Sequence, residues 1–260
     1  MEFGWRLSDM DNRPLAIIDS GLGGLSIAQA IWQQLPHQST LYLADHAHFP
    51  YGQKTTEEIN RRLVLIFNFL LQKNCKAAVI ACNTITASSI KYLRQLYSLP
   101  IIGTEPAIKP ALQANLKENI VVWATPGTLN LKSSFQVKAT GCNNLASAIE
   151  SYADKPEKLD KVIKKYLAKN PSTYSALVLG CTHYILIKDR IKKLLPAHVL
   201  VIEPSQAIAQ QTAKVLSDHN LLPLAKTSQQ LFFTTANPKR AGQVASIYLK
   251  RRIIFTSCSL

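Results

Sequence analysis

The sequence predicts an α/β protein made of two similar halves, each a mainly parallel sheet flanked by helices. Three observations predict it. Short apolar runs alternate with helix-period segments along most of the 260 residues. Two of those runs end alike: Ala77–Ala81 leads into Cys82-Asn83-Thr84, and Ala176–Gly180 leads into Cys181-Thr182-His183. Each run is short, apolar and bounded by polar residues, the pattern of a strand buried on both faces. The third observation is an echo. Glu105-Pro106 follows Cys82 and Glu203-Pro204 follows Cys181 at nearly the same distance, and Ile17–Gly21 has a looser counterpart in Val121–Gly127. A repeat of about 100 residues is far longer than solenoid periods and means two α/β halves related by a pseudo-twofold.

The elements follow in order. Residues 1–13 read as a flexible extension. Leu15–Ile18 is the first strand, and Asp19-Ser20-Gly21-Leu22-Gly23-Gly24 turns into a helix with Leu25, Ala28, Trp32 and Leu35 facing inward. That turn lacks both the G-x-G-x-x-G spacing and the Gly-Lys-Ser/Thr of a P-loop, which disfavours a nucleotide site. Thr40–Ala44 is the second strand, followed by the irregular loop Asp45–Gly52. Thr55-Thr56-Glu57-Glu58 matches a capping box and opens a helix to about Lys73. After the first cysteine strand come a helix over Ala87–Leu96, a strand over Pro100–Gly103, a helix over Ala107–Leu116 and a strand over Ile120–Ala124. Thr125–Thr140 gives no clear signal beyond a small helix. Leu145–Tyr152 and Lys158–Lys169 are helical, the latter with Lys158, Lys161, Lys165 and Lys169 opposite Leu159, Val162, Ile163 and Tyr166. The second cysteine strand precedes a helix over Leu186–Leu195, the strand Val199–Ile202 and a helix over Ala207–Leu216. Leu231–Thr234 is a strand, Arg240–Leu249 a helix, and Arg252–Phe255 a last strand.

Composition narrows the function. Hydrophobic residues make up 47% of the chain, enough for a packed core. No apolar run reaches the length of a membrane span, and the first 14 residues lack a signal-peptide core, so a cytoplasmic protein is expected. The five cysteines are odd in number and lack metal-ligand spacing, which argues against a disulfide scaffold. His46 and His48 alone make a weak metal site. The net charge of +14 brings no nucleic-acid module and no interleaved aromatics, so no specific nucleic acid is expected.

Two thiols at equivalent strand exits can face one another across a cleft between the halves. A carbon held between them could lose a proton to one and gain a proton from the other on its opposite face. Ser20, Asn83, Thr84 and Thr182 are short neutral groups able to hold a small zwitterion. Asp19 lies beside one strand exit and His183 beside the other, each able to orient a thiol or help deprotonate it. The alternative is that both cysteines are core residues, as buried cysteines often are.

Four blocks decide between these readings: Ile18–Ser26, Phe49–Lys54, Ala81–Thr84 and Leu179–Tyr184. In order and spacing they resemble the bacterial glutamate racemases of the aspartate/glutamate racemase superfamily, from about Pro14 to about Leu216. The resemblance implies interconversion of L- and D-glutamate without a cofactor or metal, supplying D-glutamate for peptidoglycan. It implies that Cys82 acts on D-glutamate and Cys181 on L-glutamate. Asp19 and His183 would assist the thiols, and Glu150 would support the histidine. Ser20, Pro50, Tyr51, Gly52, Asn83, Thr84, Thr125, Thr128 and Thr182 would contact substrate. It also suggests UDP-N-acetylmuramoyl-L-alanine as an activator and a monomer or homodimer. Residues 14–100 plus 207–260 are expected to form one domain and 101–206 the second. An aspartate or other amino-acid racemase, or a catalytically silent basic binding protein, are the competing readings.

Overall fold

In a computed structural model, residues 11–113, 120–131, 137–223 and 228–260 are described. The chain forms two parallel sheets. The first holds β1 (Leu15–Asp19), β2 (Thr40–Ala44), β3 (Ala77–Ile80) and β4 (Ile101–Gly103), joined by β9 (Gln230–Thr234) and β10 (Thr256–Ser257). The second holds β5 (Ile120–Ala124), β6 (Lys138–Gly141), β7 (Ala176–Gly180) and β8 (Leu200–Ile202). The first four strands run in the order β2-β1-β3-β4 and the second four in the order β6-β5-β7-β8. The two halves therefore repeat one strand order, and β3 and β7, the strands that end at the two cysteines, are equivalents.

The helices explain the burial. In β1, Leu15 and Ile17 join one apolar core while Ala16 and Ile18 join another, so both faces are covered. Helix α2 (Thr56–Gln72) and helix α3 (Asn83–Leu96) cover one face of the first sheet, with Leu63, Ile66, Phe67, Leu70 and Leu93 turned inward. Helix α2 starts on the expected capping box: Thr55 Oγ1 accepts the Glu58 N–H at 3.2 Å, and Glu58 Oε2 accepts the Thr55 N–H at 2.8 Å. On the other face, helix α1 (Leu25–Gln34) packs along helix α10 (Ser205–Asp218). That core continues without a break into the second sheet through Trp123, Leu177, Leu179 and Tyr184. The far face of the second sheet carries helix α4 (Ile108–Gln113) and the short helix α5 (Pro126–Leu131). Its other helices are α6 (Leu145–Ser151), α7 (Pro156–Leu167), α8 (Thr182–Leu186) and α9 (Lys188–Leu194). Lys158, Lys161, Lys165 and Lys169 all lie on the exposed side of the α7 region.

Some elements differ from expectation. The strand over Ile101–Gly103 pairs with β3 at the edge of the first sheet rather than opening the second half. The helix expected over Leu186–Leu195 is α9, and a further short helix, α8, precedes it from the cysteine strand, the two meeting at Ile187. The last strand is Thr256–Ser257 rather than Arg252–Phe255. Ile253 gives its N–H to Ser246 Oγ at 2.9 Å on helix α11 (Pro238–Leu249), and Ile253 and Phe255 are buried in the core, so the chain reaches the sheet only afterwards. The expected extension over residues 1–13 lies mostly outside the described residues.

Candidate active site

Cys82 ends the exit from β3 and caps α3, while Cys181 ends the exit from β7 and caps α8. Both line one narrow cavity of about 20 Å³, room for about one water molecule. The first half lines it with Ser20, Pro50, Tyr51, Gly52, Asn83 and Thr84, and the second with Thr125, Thr182 and His183. Eleven of the fourteen residues picked out in the sequence thus reach the cavity wall. Asp19, Thr128 and Glu150 stand behind it.

The two thiols sit in unlike surroundings. Cys82 Sγ lies 3.9 Å from Ser20 Oγ. Burial, reinforced by the neighbouring Asp19 charge, pushes the Cys82 thiol up to about 12, against the Ile85 N–H that favours the thiolate. Asp19 is fully buried at the end of β1; its Oδ1 accepts the Gly21 N–H at 2.9 Å and its Oδ2 the Thr182 hydroxyl at 3.0 Å. Burial raises its pKa more than His183 and these donors lower it.

Beside Cys181 stands a cation. His183 is buried, which disfavours its charge, yet hydrogen bonds to Cys181 and Glu150 and the Glu150 and Asp19 charges hold its pKa well above the ordinary range. Its Nε2 lies 2.8 Å from Glu150 Oε1 and 3.2 Å from the Gly23 nitrogen. One nitrogen cannot both donate to the carboxylate and accept from the Gly23 N–H; the shorter, charge-assisted contact decides for donation. Glu150 Oε1 also accepts the Leu22 N–H at 2.7 Å. Burial would raise the Glu150 pKa, but His183 and His46 hold it well below the usual carboxylate range. Burial thus favours the neutral thiol at Cys82, while Cys181 stands next to a histidine whose charged form is favoured by Glu150 and Asp19.

The remaining walls are polar and neutral. Thr84 Oγ1 lies 2.9 Å from Thr125 Oγ1 and 3.3 Å from Thr128 Oγ1, bridging α3 of the first half to α5 of the second. Gly52 packs so closely there that an added Cβ would lie 2.8 Å from Thr125 Cβ. Asn83 Nδ2 donates to the Thr104 carbonyl at 3.1 Å, while Asn83 Oδ1, buried, has no partner. The loop after β2 is pinned from outside: Asp45 accepts from Arg62 at 2.8 and 2.9 Å, from Tyr51 Oη at 2.5 Å and from Thr235 Oγ1 at 2.7 Å.

Three neighbours escaped the sequence reading. Phe49 stacks on His183 with ring centroids 5.1 Å apart, and Ala146 lines the cavity. His46 touches Glu150 rather than a metal, with Nε2 3.2 Å from Oε2. Phe49 and His46 had local signals, an aromatic beside Pro50 and a histidine pair in the same irregular loop, but neither pointed to His183 or Glu150. Among the described residues no group of three or more His, Cys, Asp and Glu is arranged to hold a metal ion.

Comparison with known proteins agrees with this geometry. The glutamate racemase of Stutzerimonas stutzeri (strain A1501) is 38% identical over 249 residues, 90% of this chain and 93% of that protein. A structure of Francisella tularensis glutamate racemase in complex with D-glutamate superposes with a TM-score of 0.81 at 30% identity, covering 96% of this chain and 98% of that one. Escherichia coli glutamate racemase in complex with L-glutamate and the activator UDP-MurNAc-Ala gives 0.78 at 28%, covering 94% and 97%. A model of the Asp/Glu/hydantoin racemase family matches residues 25–212, and with two strand-end cysteines on one cavity between two like sheets, the chain belongs to that family.

Proposed function

We propose that this protein is a glutamate racemase, interconverting L- and D-glutamate by proton transfer between two thiols and so supplying D-glutamate for peptidoglycan. The observation that carries the chemistry is the pairing of Cys82 and Cys181 on one cavity, one beside Ser20 and Asp19 and the other beside His183. With L-glutamate, Cys181 as thiolate removes the α-hydrogen while the Cys82 thiol delivers its proton to the opposite face. The C–H bond to Cys181 breaks as the new C–H bond forms from Cys82, and the two sulfurs exchange roles. D-glutamate runs the same steps backwards. The carbanionic charge needs fixed donors around it; Ser20, Asn83, Thr84 and Thr182 supply neutral ones without adding a competing charge. The thiol pair performs the whole transfer, so neither cofactor nor metal enters the reading.

Glutamate cannot fit a cavity of about 20 Å³. The reading therefore includes opening of the two halves about the crossings after β4 and β8, with residues 101–206 moving largely as the second lobe and β4 staying with the first. No helix among the described residues is long and apolar enough to cross a membrane, and a cytoplasmic enzyme fits. Activation by UDP-N-acetylmuramoyl-L-alanine is part of the reading by analogy with the Escherichia coli enzyme; adding it to the assay tests that part.

Circular dichroism of L-glutamate incubated with purified protein is the primary test. The signal is expected to decay to zero, with D-glutamate decaying likewise and aspartate unchanged, and EDTA without effect. Cys82 and Cys181 are each 7% exposed, so a thiol-alkylating reagent should inactivate only as the halves open, and saturating glutamate should slow it. A lasting signal with glutamate would overturn the reading.

A further inference from the structure

The loop after β2 places a histidine on the carboxylate that grips His183. His46 Nε2 lies 3.2 Å from Glu150 Oε2, while His183 Nε2 lies 2.8 Å from Glu150 Oε1. One carboxylate thus spans two imidazoles, one from each half. The other His46 nitrogen is held as well: Nδ1 lies 2.7 Å from Thr234 Oγ1 at the end of β9. Thr234 Oγ1 accepts the Ala236 N–H at 3.3 Å, which leaves its hydroxyl hydrogen free to point at His46 Nδ1. Glu150 Oε2 can only accept, so the hydrogen between it and His46 belongs to Nε2. Other charged groups near this ring are few. Arg240, from α11, lines the adjoining cavity and spends a guanidinium N–H on the Glu150 backbone carbonyl at 3.4 Å. Asp45, the preceding residue, is occupied by Arg62 and Tyr51.

We infer that His46 is a positioning residue for the Cys181 half of the reaction: it fixes the second oxygen of Glu150, so that the first stays on His183 and the His183 ring stays in the cavity wall beside Cys181. Without it, Glu150 has a free oxygen beside a cavity of about 350 Å³ and is able to swing toward solvent or toward Arg240. Removing a partner that orients a functional side chain through a hydrogen bond typically costs about 10–100-fold in activity. Among the described residues Cys82 makes its side-chain contact with Ser20 and not with His46, Glu150 or His183, so the effect falls chiefly on Cys181.

This inference rests on the racemase reading, and the experiment separates the two. Racemisation by the parent protein is measured first; an inactive parent refutes the function itself. In His46→Ala, kcat should fall about 10-fold or more with KM changed less than about 3-fold. His46→Gln, whose amide N–H can stand where Nε2–H stood, should recover most of the loss. Alkylation of the two cysteines, followed peptide by peptide by mass spectrometry, gives an internal control. Cys181 should label about 10-fold more slowly in His46→Ala than in the parent while Cys82 labels at the parent rate. An active parent with an equally active His46→Ala, a Gln variant no better than Ala, or equal loss of labelling at both cysteines would each overturn the assignment.

Discussion

At the scale of single residues, the protein separates two identical functional groups by environment. Burial beside Asp19 pushes the Cys82 thiol up to about 12, whereas Cys181 stands next to His183, whose pKa Glu150 and Asp19 hold well above the ordinary range. Enantiomers have equal free energy, so kcat/KM must be the same in both directions for the parent and for every variant. The division of labour therefore shows in isotope exchange rather than in net rates. Cys82→Ala should abolish racemisation, a loss of about 10²–10⁴-fold or more. In deuterated water it should still exchange the α-hydrogen of L-glutamate through Cys181, and leave D-glutamate unlabelled. Cys181→Ala should show the mirror image. Nuclear magnetic resonance of the recovered amino acid reads both, and equal labelling of the two enantiomers by either variant would contradict the assignment.

The elements decide how closely the two thiols can be brought together. The turn from β1 into α1 meets the turn from β7 into α8 with almost no space between them. A Cβ at Gly23 would lie 2.5 Å from the His183 backbone nitrogen and from Thr182 Oγ1, and closer still to His183 Nδ1. No glycine among the described residues has positive φ; Gly23 is needed for room and not for an unusual backbone. Gly23→Ala should push the halves apart by the width of a methyl group. A misplacement of about 1 Å in such a site can cost about 100-fold. The expected result is a fall in kcat of that order with a thermal midpoint close to the parent's, measured by racemisation and by calorimetry; full activity would show that the turns are not in contact.

Much of this scale was legible in the sequence. The strands β1, β2, β3, β5 and β7 are apolar runs covered on both faces, and that demand writes itself into consecutive residues. The capping box named the start of α2. The sequence was mute at β6, an edge strand whose Lys138 and Ala139 are exposed and whose residues carry no period. It also gave no sign of α8, whose five residues are too few to show a helical period. Within the site, the cysteines, their polar neighbours and the Asp–Ser–Gly turn announced themselves locally. The His46–Glu150 contact did not, since it depends on which loop of one half meets which helix of the other.

For the whole molecule, the buried Asp45–Arg62 pair ties the β2 loop to α2 and, through Thr235, to the returning chain after β9. Burial works against the Asp45 charge, but Arg62, Tyr51 and Thr235 outweigh it and hold its pKa below the ordinary value. A depressed carboxylate contributes stability that is fully present above the unfolded pKa of about 4 and is lost as pH falls through the folded value. Stability should therefore decline in the acid range below about pH 4. Asp45→Ala should flatten that part of the decline. The variant leaves Arg62, whose side chain is 10% exposed, without its carboxylate and with only the Leu260 carbonyl to accept from it, and breaking a buried pair in this way typically costs up to about 3–5 kcal/mol. Chemical denaturation of parent and variant across pH measures both; a variant as stable as the parent at neutral pH would show the pair to be dispensable.

The pairing of β2 with β9 has a consequence for how the protein is made. Thr40–Ala44 is buried throughout, and its outer edge is filled by Gln230–Thr234. On the ribosome, that edge stays bare while the whole second sheet is synthesised and folded. An apolar strand with unpaired amides is a template for other chains. The closing strand comes late, at large sequence separation, which slows completion of the first sheet. A nascent chain of this protein thus carries an adhesive edge through most of its synthesis, and its yield in a crowded cell depends on what shields that edge until the tail arrives.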